Sequence, residues 1–467
     1  MTRRLLPLET IRGLAGFGGA QRADGYVFQP TTVDEAREVL ALAREAGRRV
    51  VLRGSGRSYG DAAIAREAVV LDLCAMNQIV GWDPSTGILE AEAGATLGDV
   101  WRRCLPDGWW PPVVSGTMFP TLGGALAMNI HGKNAYRVGT LGEHVRSIDV
   151  LPTDGGEVVR LGPSDSLFHS VVSGAGLAGL IVGVRLQLKK VPSGDVRVRG
   201  VSCSGWKDQF DAFDRYREDA DYMVSWIDCF ARGHARGRGL FHAAWYAEGP
   251  PATLLEAHQS LPSRVLGVVP KSETWRFLKL LNRRGCMRLV NAAKHAAGRI
   301  FEHGRDGRQS LVAFSFLLDY VPGWERAYAP GGFIQVQTFV PAAEARRVFD
   351  EQIQMQQRAG LESFLGVMKR HRADEFALSH GVDGYSLALD FKVTRANRAR
   401  VEALADGLNK SALAAGGRFY LAKDSVLDGA DYRLSIGDGL ERLHKARERF
   451  DPDGILTSAQ AERLGLL

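Results

Sequence analysis

Two hydrophobic periodicities alternate along the chain. In TTVDEAREVLALAREAG the apolar positions from Val33 onward fall at helical spacing, with Thr32 as N-cap, Glu35 as its capping-box partner and Gly47 as the stop. Arg48 to Leu52 is a short β run. Val69 to Leu73 predicts another strand, and Gln78–Trp82 with Gly87–Ala93 predicts a hairpin turning at Asp83-Pro84-Ser85-Thr86. Val145–Leu151 reads as a strand before the turn Asp154-Gly155-Gly156. Further on, strands are expected at Leu240–Tyr246, Gly332–Val340 and Tyr385–Val393, and amphipathic helices at Pro341–Gln357 and Ala396–Ala415. No internal repeat is visible.

Glycine punctuates the first part of this pattern. RGSGRSYG, Arg53 to Gly60, follows the run Val50-Val51-Leu52. A second glycine-rich stretch holds Gly116 and runs from Thr121 to Asn134, and a third runs from Ser173 to Gly183. Small residues at this density let backbone N–H groups approach a ligand closely. A dinucleotide fingerprint would enter a helix at once; here Asp61-Ala62-Ala63-Ile64 leads to another strand, and the glycine spacing is one residue too long. A Rossmann fold is therefore not expected. After about residue 196 the glycine-rich character falls away, to return in GGRFYLAKDS and ERFDPDGILTS.

The 467 residues exceed one compact core, so two large domains are expected. No apolar stretch reaches membrane-span length and no signal peptide is read, so a cytoplasmic or peripheral-membrane location is expected. The five cysteines are scattered without a CxxC, which disfavours a disulfide framework or zinc site. No HExxH pattern occurs, and no metal is expected. The net charge of +6 is concentrated: residues 264–308 hold eleven Lys/Arg against three Asp/Glu. There Trp275, Phe277, Leu278, Leu280 and Leu281 lie among Arg276, Lys279, Arg283 and Arg284, the composition of a helix for an anionic membrane surface. A nucleic-acid partner is not expected, because the charge belongs to one segment.

The order RGSGRSYGDAA, GTxxPTLGGALAxNIHGKN, GAGLAGLIVGV and FDPDGIL resembles flavin oxidases of the vanillyl-alcohol oxidase or PCMH type. The likeness covers nearly the whole chain. It implies an α+β fold: a two-subdomain PCMH-type FAD-binding domain, residues 1–196 completed by 418–467, and a substrate domain, 197–417, with an antiparallel sheet and flanking helices. The implied cofactor is FAD, its pyrophosphate cradled by Arg53, Gly54, Ser55, Gly56, Arg57, Ser58, Tyr59, Gly60, Asp61, Ala62 and Ala63. Further cofactor contacts implied are Gly116; Thr121, Leu122, Gly123 and Gly124; Met128, Asn129, Ile130 and His131; Ile181 on the adenine side; and Tyr420. Many relatives carry a flavin-linked histidine where this chain has Arg57, so FAD is expected to be non-covalent.

IHGKN, GEHVRSIDVL and YLAKDS resemble the branch of the family that acts on lipid-linked pentoses. This implies oxidation of polyprenyl-phosphoryl ribose at the 2-hydroxyl to a keto sugar, with hydride passing to flavin N5. It also implies a separate NAD(P)H-dependent reductase that completes epimerisation to arabinose. Lys423 matches the family's active-site lysine, with Lys133, Lys369, Gln335, Gln337 and Tyr59 in the same catalytic set. A lysine suits this chemistry because its pKa falls on burial, allowing it to act as a base. Ala388 and Ser386 stand where the branch has a cysteine and an asparagine, so inhibitors that trap that cysteine are not expected to bond here. The rival readings are a soluble alditol or sugar-lactone oxidase on the same fold, and a non-catalytic flavin-binding protein at a membrane.

Overall fold

The computed structural model describes residues 5–261, 264–265 and 269–467. Among these, the strands form sheets of four, five and eight strands with two small ribbons. The four-stranded sheet runs Ile11–Ala15, Arg22–Phe28, Val69–Asp72, Val50–Arg53; its first pair is antiparallel and the other two pairs are parallel. Val50, Val51, Val69 and Val70 are fully buried at its centre, as their continuous apolar runs require. Helix Val33–Glu45 packs on this sheet through Ala36, Leu40 and Ala43. Thr32 Oγ1 accepts from Glu35 N, but the reciprocal bond is displaced: Glu35 Oε2 accepts from Thr31 N and Oγ1 at 2.6 and 2.8 Å. The expected capping box is thus half formed at Thr32, because the glutamate reaches one residue further back.

The five-stranded sheet is antiparallel throughout: Ile79–Asp83, Ile88–Glu92, Leu180–Gln187, Val145–Leu151, Val159–Leu161. The predicted hairpin turns at Asp83, whose carboxylate accepts from Ser85 and Thr86. The eight-stranded sheet is also antiparallel, in the order Asp306–Ser310, Asp195–Cys203, Gly239–Tyr246, Tyr222–Ile227, Gly366–His371, Gly384–Lys392, Phe333–Pro341, Arg418–Phe419. Phe333–Pro341 and Gly384–Lys392 are buried along almost their full length because both faces are covered. Helices Ala342–Ala359 and Arg398–Leu413 cover one face, close to the helices read from spacing. The fold is mixed α+β, as expected.

The chain's last segment returns to the first sheet. Val50 N donates to Ile455 O and Thr457 N to Val50 O, both at 2.8 Å. Ala459 N donates to Ile64 O, and Gln460 Nε2 to Leu421 O. Arg463, in the final helix Ala459–Leu464, bonds the buried carboxylates of Asp61 (2.8 Å) and Asp424 (2.7 Å). Removing the arginine would leave two buried carboxylates facing one another. Arg463→Ala is therefore expected to lower the unfolding free energy by about 3 kcal/mol in urea titration; an unchanged midpoint would contradict this account of the network.

Candidate active site

The loop after Val50–Arg53 is held in place from beneath. Arg53 donates to Ala63 O (3.0 Å) and Ala15 O (3.1 Å), so its guanidinium underlies the turn it opens. Gly56 has φ +66°, and a Cβ there would lie 2.3 Å from the Arg53 guanidinium. A Cβ on Gly54 would lie 2.2 Å from Thr121 Oγ1, so two glycine-rich stretches meet without room for a side chain. The amides of Gly54, Ser55, Gly56, Arg57 and Ser58 donate to no group among the described residues. Five successive free N–H groups over a half-buried guanidinium make a cradle suited to an anion.

The cradle opens into a cavity of about 640 Å³. Its walls include Arg53 to Tyr59, Ala62, Ala63, Gly116, Thr121, Gly123, Gly124, Met128, Ile130, His131, Ile181 and Tyr420. Lys133, Lys369, Lys423, Gln335 and Gln337 line the same cavity. Four of the expected cofactor contacts do not line it. Gly60 is pressed on the backbone, where a Cβ would sit 2.1 Å from Asp424 O. Asp61 is committed to Arg463. Leu122 is core, and Asn129, at φ +43°, uses Oδ1 to accept from Gly142 N. Arg57 does line the cavity, with its guanidinium between the rings of Phe17 (5.4 Å) and Phe119 (4.6 Å).

The opposite wall is the face of the eight-stranded sheet turned away from helices Ala342–Ala359 and Arg398–Leu413. Strand alternation puts Gln335 and Gln337 on that face, paired in register with Asp390 and Ala388 of the neighbouring strand. Val367 and Lys369 come from the third strand. Gln335 Nε2 donates to Asp390 Oδ1. Gln337 Nε2 contacts Ser386 Oγ (3.1 Å) and His131 Nε2 (3.2 Å), and Ser386 Oγ lies 2.8 Å from His371 Nε2. This fixes the Gln337 amide and requires His131 Nε2 to be the acceptor, with its proton on Nδ1. His131, His371 and His380 form one buried ring cluster with Phe339 and Tyr420. Burial, with neighbouring cations, keeps all three imidazoles neutral.

Lys423 is placed by the loop Tyr420-Leu421-Ala422. Tyr59 N donates to Ala422 O at 2.8 Å, and Lys423 Nζ sits 3.5 Å from the Tyr59 ring centroid. Burial lowers the Lys423 pKa, with Asp390 opposing and Lys369 assisting the shift. Burial likewise raises that of Asp390, against the opposing pull of the Gln335 hydrogen bond and the Lys423 charge. Lys133 donates to Phe314 O and is lowered to about 7; Lys369 is lowered to about 8. Tyr59, fully enclosed, stays protonated. Asp390 was missed in the sequence reading. A carboxylate at period two with Ser386 and Ala388, on a strand otherwise apolar, is the signal that could have found it.

The shifted lysines give a pH dependence. Lys133 and Lys369 hold their protons to about 7 and about 8 when folded and to 10.5 when unfolded, so above about pH 7 the unfolded chain binds more protons. Stability of the flavin-free protein should then rise between about pH 7 and 8.5, below the range where ordinary thiols titrate. The double variant Lys133→Met/Lys369→Met should flatten the slope in urea midpoints; an unchanged slope would refute the assignment. With Arg57 at the position of the attachment histidine and no cysteine among the described cavity residues, acid denaturation should release all flavin into the supernatant. Yellow colour retained by the pellet would oppose this.

A family model for an FAD binding domain matches residues 25–162. Over 445 residues, 92% of each chain, the protein is 33% identical to decaprenylphosphoryl-beta-D-ribose oxidase of Mycolicibacterium smegmatis. L-gulonolactone oxidase of Bos taurus is 30% identical over 162 residues, covering 34% of this chain and 36% of that one. D-lactate dehydrogenase of Anaerostipes hadrus is 29% identical over 180 residues, 35% of this chain and 36% of that one. Of these three, the first alone extends over most of this chain; each of the other two spans about a third of it. No helix among the described residues is long and apolar enough to cross a membrane. With the free-amide cradle and the match along nearly its full length, the chain belongs to the PCMH-type family of FAD-dependent oxidoreductases that includes decaprenylphosphoryl-β-D-ribose oxidase.

Proposed function

We propose that the protein oxidises the 2-hydroxyl of a polyprenyl-phosphoryl ribose to the 2-keto sugar. The observation that carries this is the convergence of three half-buried lysines, two fixed glutamines and Asp390 on the cavity that the amide cradle opens into. FAD, when bound, supplies the two-electron acceptor. The chain's own groups handle the rest. Gln335 and Gln337, each anchored through Nε2, keep a carboxamide oxygen free to orient sugar hydroxyls. Lys423, its pKa depressed by burial, takes the hydroxyl proton as the carbinol carbon is oxidised. Lys133 and Lys369 add positive potential for the substrate phosphate.

The keto sugar is then substrate for a separate NAD(P)H-dependent reductase, giving arabinose overall. Ala388 makes the wall opposite Gln337 smaller and chemically inert, which leaves room beside the sugar without a thiol. A soluble sugar-lactone oxidase remains the competing reading, supported by similarity limited to about a third of the chain.

The test is anaerobic mixing of the flavin-loaded protein with candidate substrates. Polyprenyl-phosphoryl ribose should bleach the flavin, whereas gulonolactone and alditols should not; the reverse order would overturn the proposal. Lys423→Met should retain flavin and lower the bleaching rate by about 10²-fold or more, as expected for loss of a general base.

A further inference from the structure

The helices Lys271–Leu281 and Arg284–Phe301 adjoin the cavity, the second through Lys294 and the first through its packing on Trp324–Tyr328. The second is oriented unusually. Its inward face is small and polar: Asn291 and Gly298 are buried, Gly298 so close to Leu240 that a Cβ would lie 2.4 Å away. His295 Nε2, on the same side, lies 3.2 Å from both Ser202 Oγ and Cys203 O. Its outward face is apolar at helical spacing: Leu289, Ala293, Ala296 and Ile300 are all exposed, Leu289 at 72% and Ile300 at 62%. An ordinary surface helix of a soluble domain turns the opposite way. The first helix adds Phe277 and Leu280, exposed at 55% and 68%.

These apolar residues are interleaved with cations. Lys279, Arg283, Arg288 and Arg299 have no carboxylate partner among the described residues. The helices are firmly seated: Arg284 makes a two-pronged ion pair with Glu362 at 2.6 Å, and Asn282 Nδ2 donates to Ala327 O. They are also continuous with the cavity. Lys294 and Trp226 line it, with Nζ 4.4 Å from the indole centroid. The first helix packs on Trp324–Tyr328, whose Trp324 and Glu325 are cavity residues.

We infer that the outward face of these two helices seats the protein on an anionic lipid bilayer, with the cavity mouth held at the headgroup level. The apolar stripe enters the headgroup–acyl boundary, and the unpaired cations meet lipid phosphates. The expected membrane segment, residues 264–308, is thereby narrowed to two helices; residues 266–268 of it lie outside the described residues. The inference rests on the proposed lipid-linked substrate only for its purpose, since the face itself is seen independently of the reaction.

The experiment is co-sedimentation of the flavin-loaded protein with vesicles of phosphatidylglycerol or of phosphatidylcholine, at low and high salt. Binding to phosphatidylglycerol, weakened at least tenfold by high salt and by Leu289→Glu/Ile300→Glu, is expected, with little binding to phosphatidylcholine. The double variant alters residues outside the cavity and should keep its flavin spectrum and its bleaching rate with a short-chain, water-soluble substrate. No sedimentation at low salt, or equal sedimentation of wild type and variant, would overturn the inference. So would recovery of the face as a dimer or protein contact in vesicle-free solution, blocked by the same double variant. Vesicle binding without bleaching by any polyprenyl-phosphoryl sugar would instead leave the surface standing and remove the substrate assignment.

Discussion

The site depends on one contact between distant parts of the chain, the closure of the Gly54–Gly60 turn against the segment 420–425. Tyr59 carries it twice, through its amide to Ala422 O and through its ring beneath Lys423. Gly60 permits it, since any side chain there would collide with Asp424 O. Asp61, Asp424 and Arg463 lock it electrostatically, and the strand-like pairing of Val50 with Ile455 and Thr457 extends it. The amide cradle and the lysine opposite the sheet are therefore positioned by the same joint. A change in either segment would shift both the amide loop and Lys423.

Concentrating cations in the cavity has a cost that the fold accepts. Lys133, Lys369 and Lys423 all lose hydration, and Asp390 is the carboxylate that answers Lys423. The same burial depresses their pKa values toward neutrality. The neutral histidine cluster behind Gln337 fits this scheme: uncharged rings keep the glutamine amide fixed without adding to the repulsion.

Much of the architecture was legible in the chain because its cause is local. Helix Val33–Glu45 and the hairpin at Asp83 follow from capping and turn chemistry, and the strands Phe333–Pro341 and Gly384–Lys392 from runs that suit a doubly covered sheet. Gln335 and Gln337 share a face because strand side chains alternate, wherever the strand lies. Glycines at 54 and 56 announced a close approach, and the motif order named the family. The partner of each such feature was hidden. Nothing near Asp390 in sequence pairs it with Gln335, and nothing near Asn129 shows that its side chain is spent on Gly142.

The sequence by itself therefore determined the local conformations, the faces of strands and helices, and the kind of ligand that unhindered amides can hold. Tertiary structure alone decided which charges share one low-dielectric space, and so which lysines are depressed. It also decided that Arg53 underlies the turn, that Arg57 lies between two phenylalanines, and that helix Arg284–Phe301 turns its apolar stripe outward. The physical reason is range. Backbone preference and side-chain periodicity act over a few residues, whereas desolvation and ion pairing depend on neighbours brought together from hundreds of positions apart.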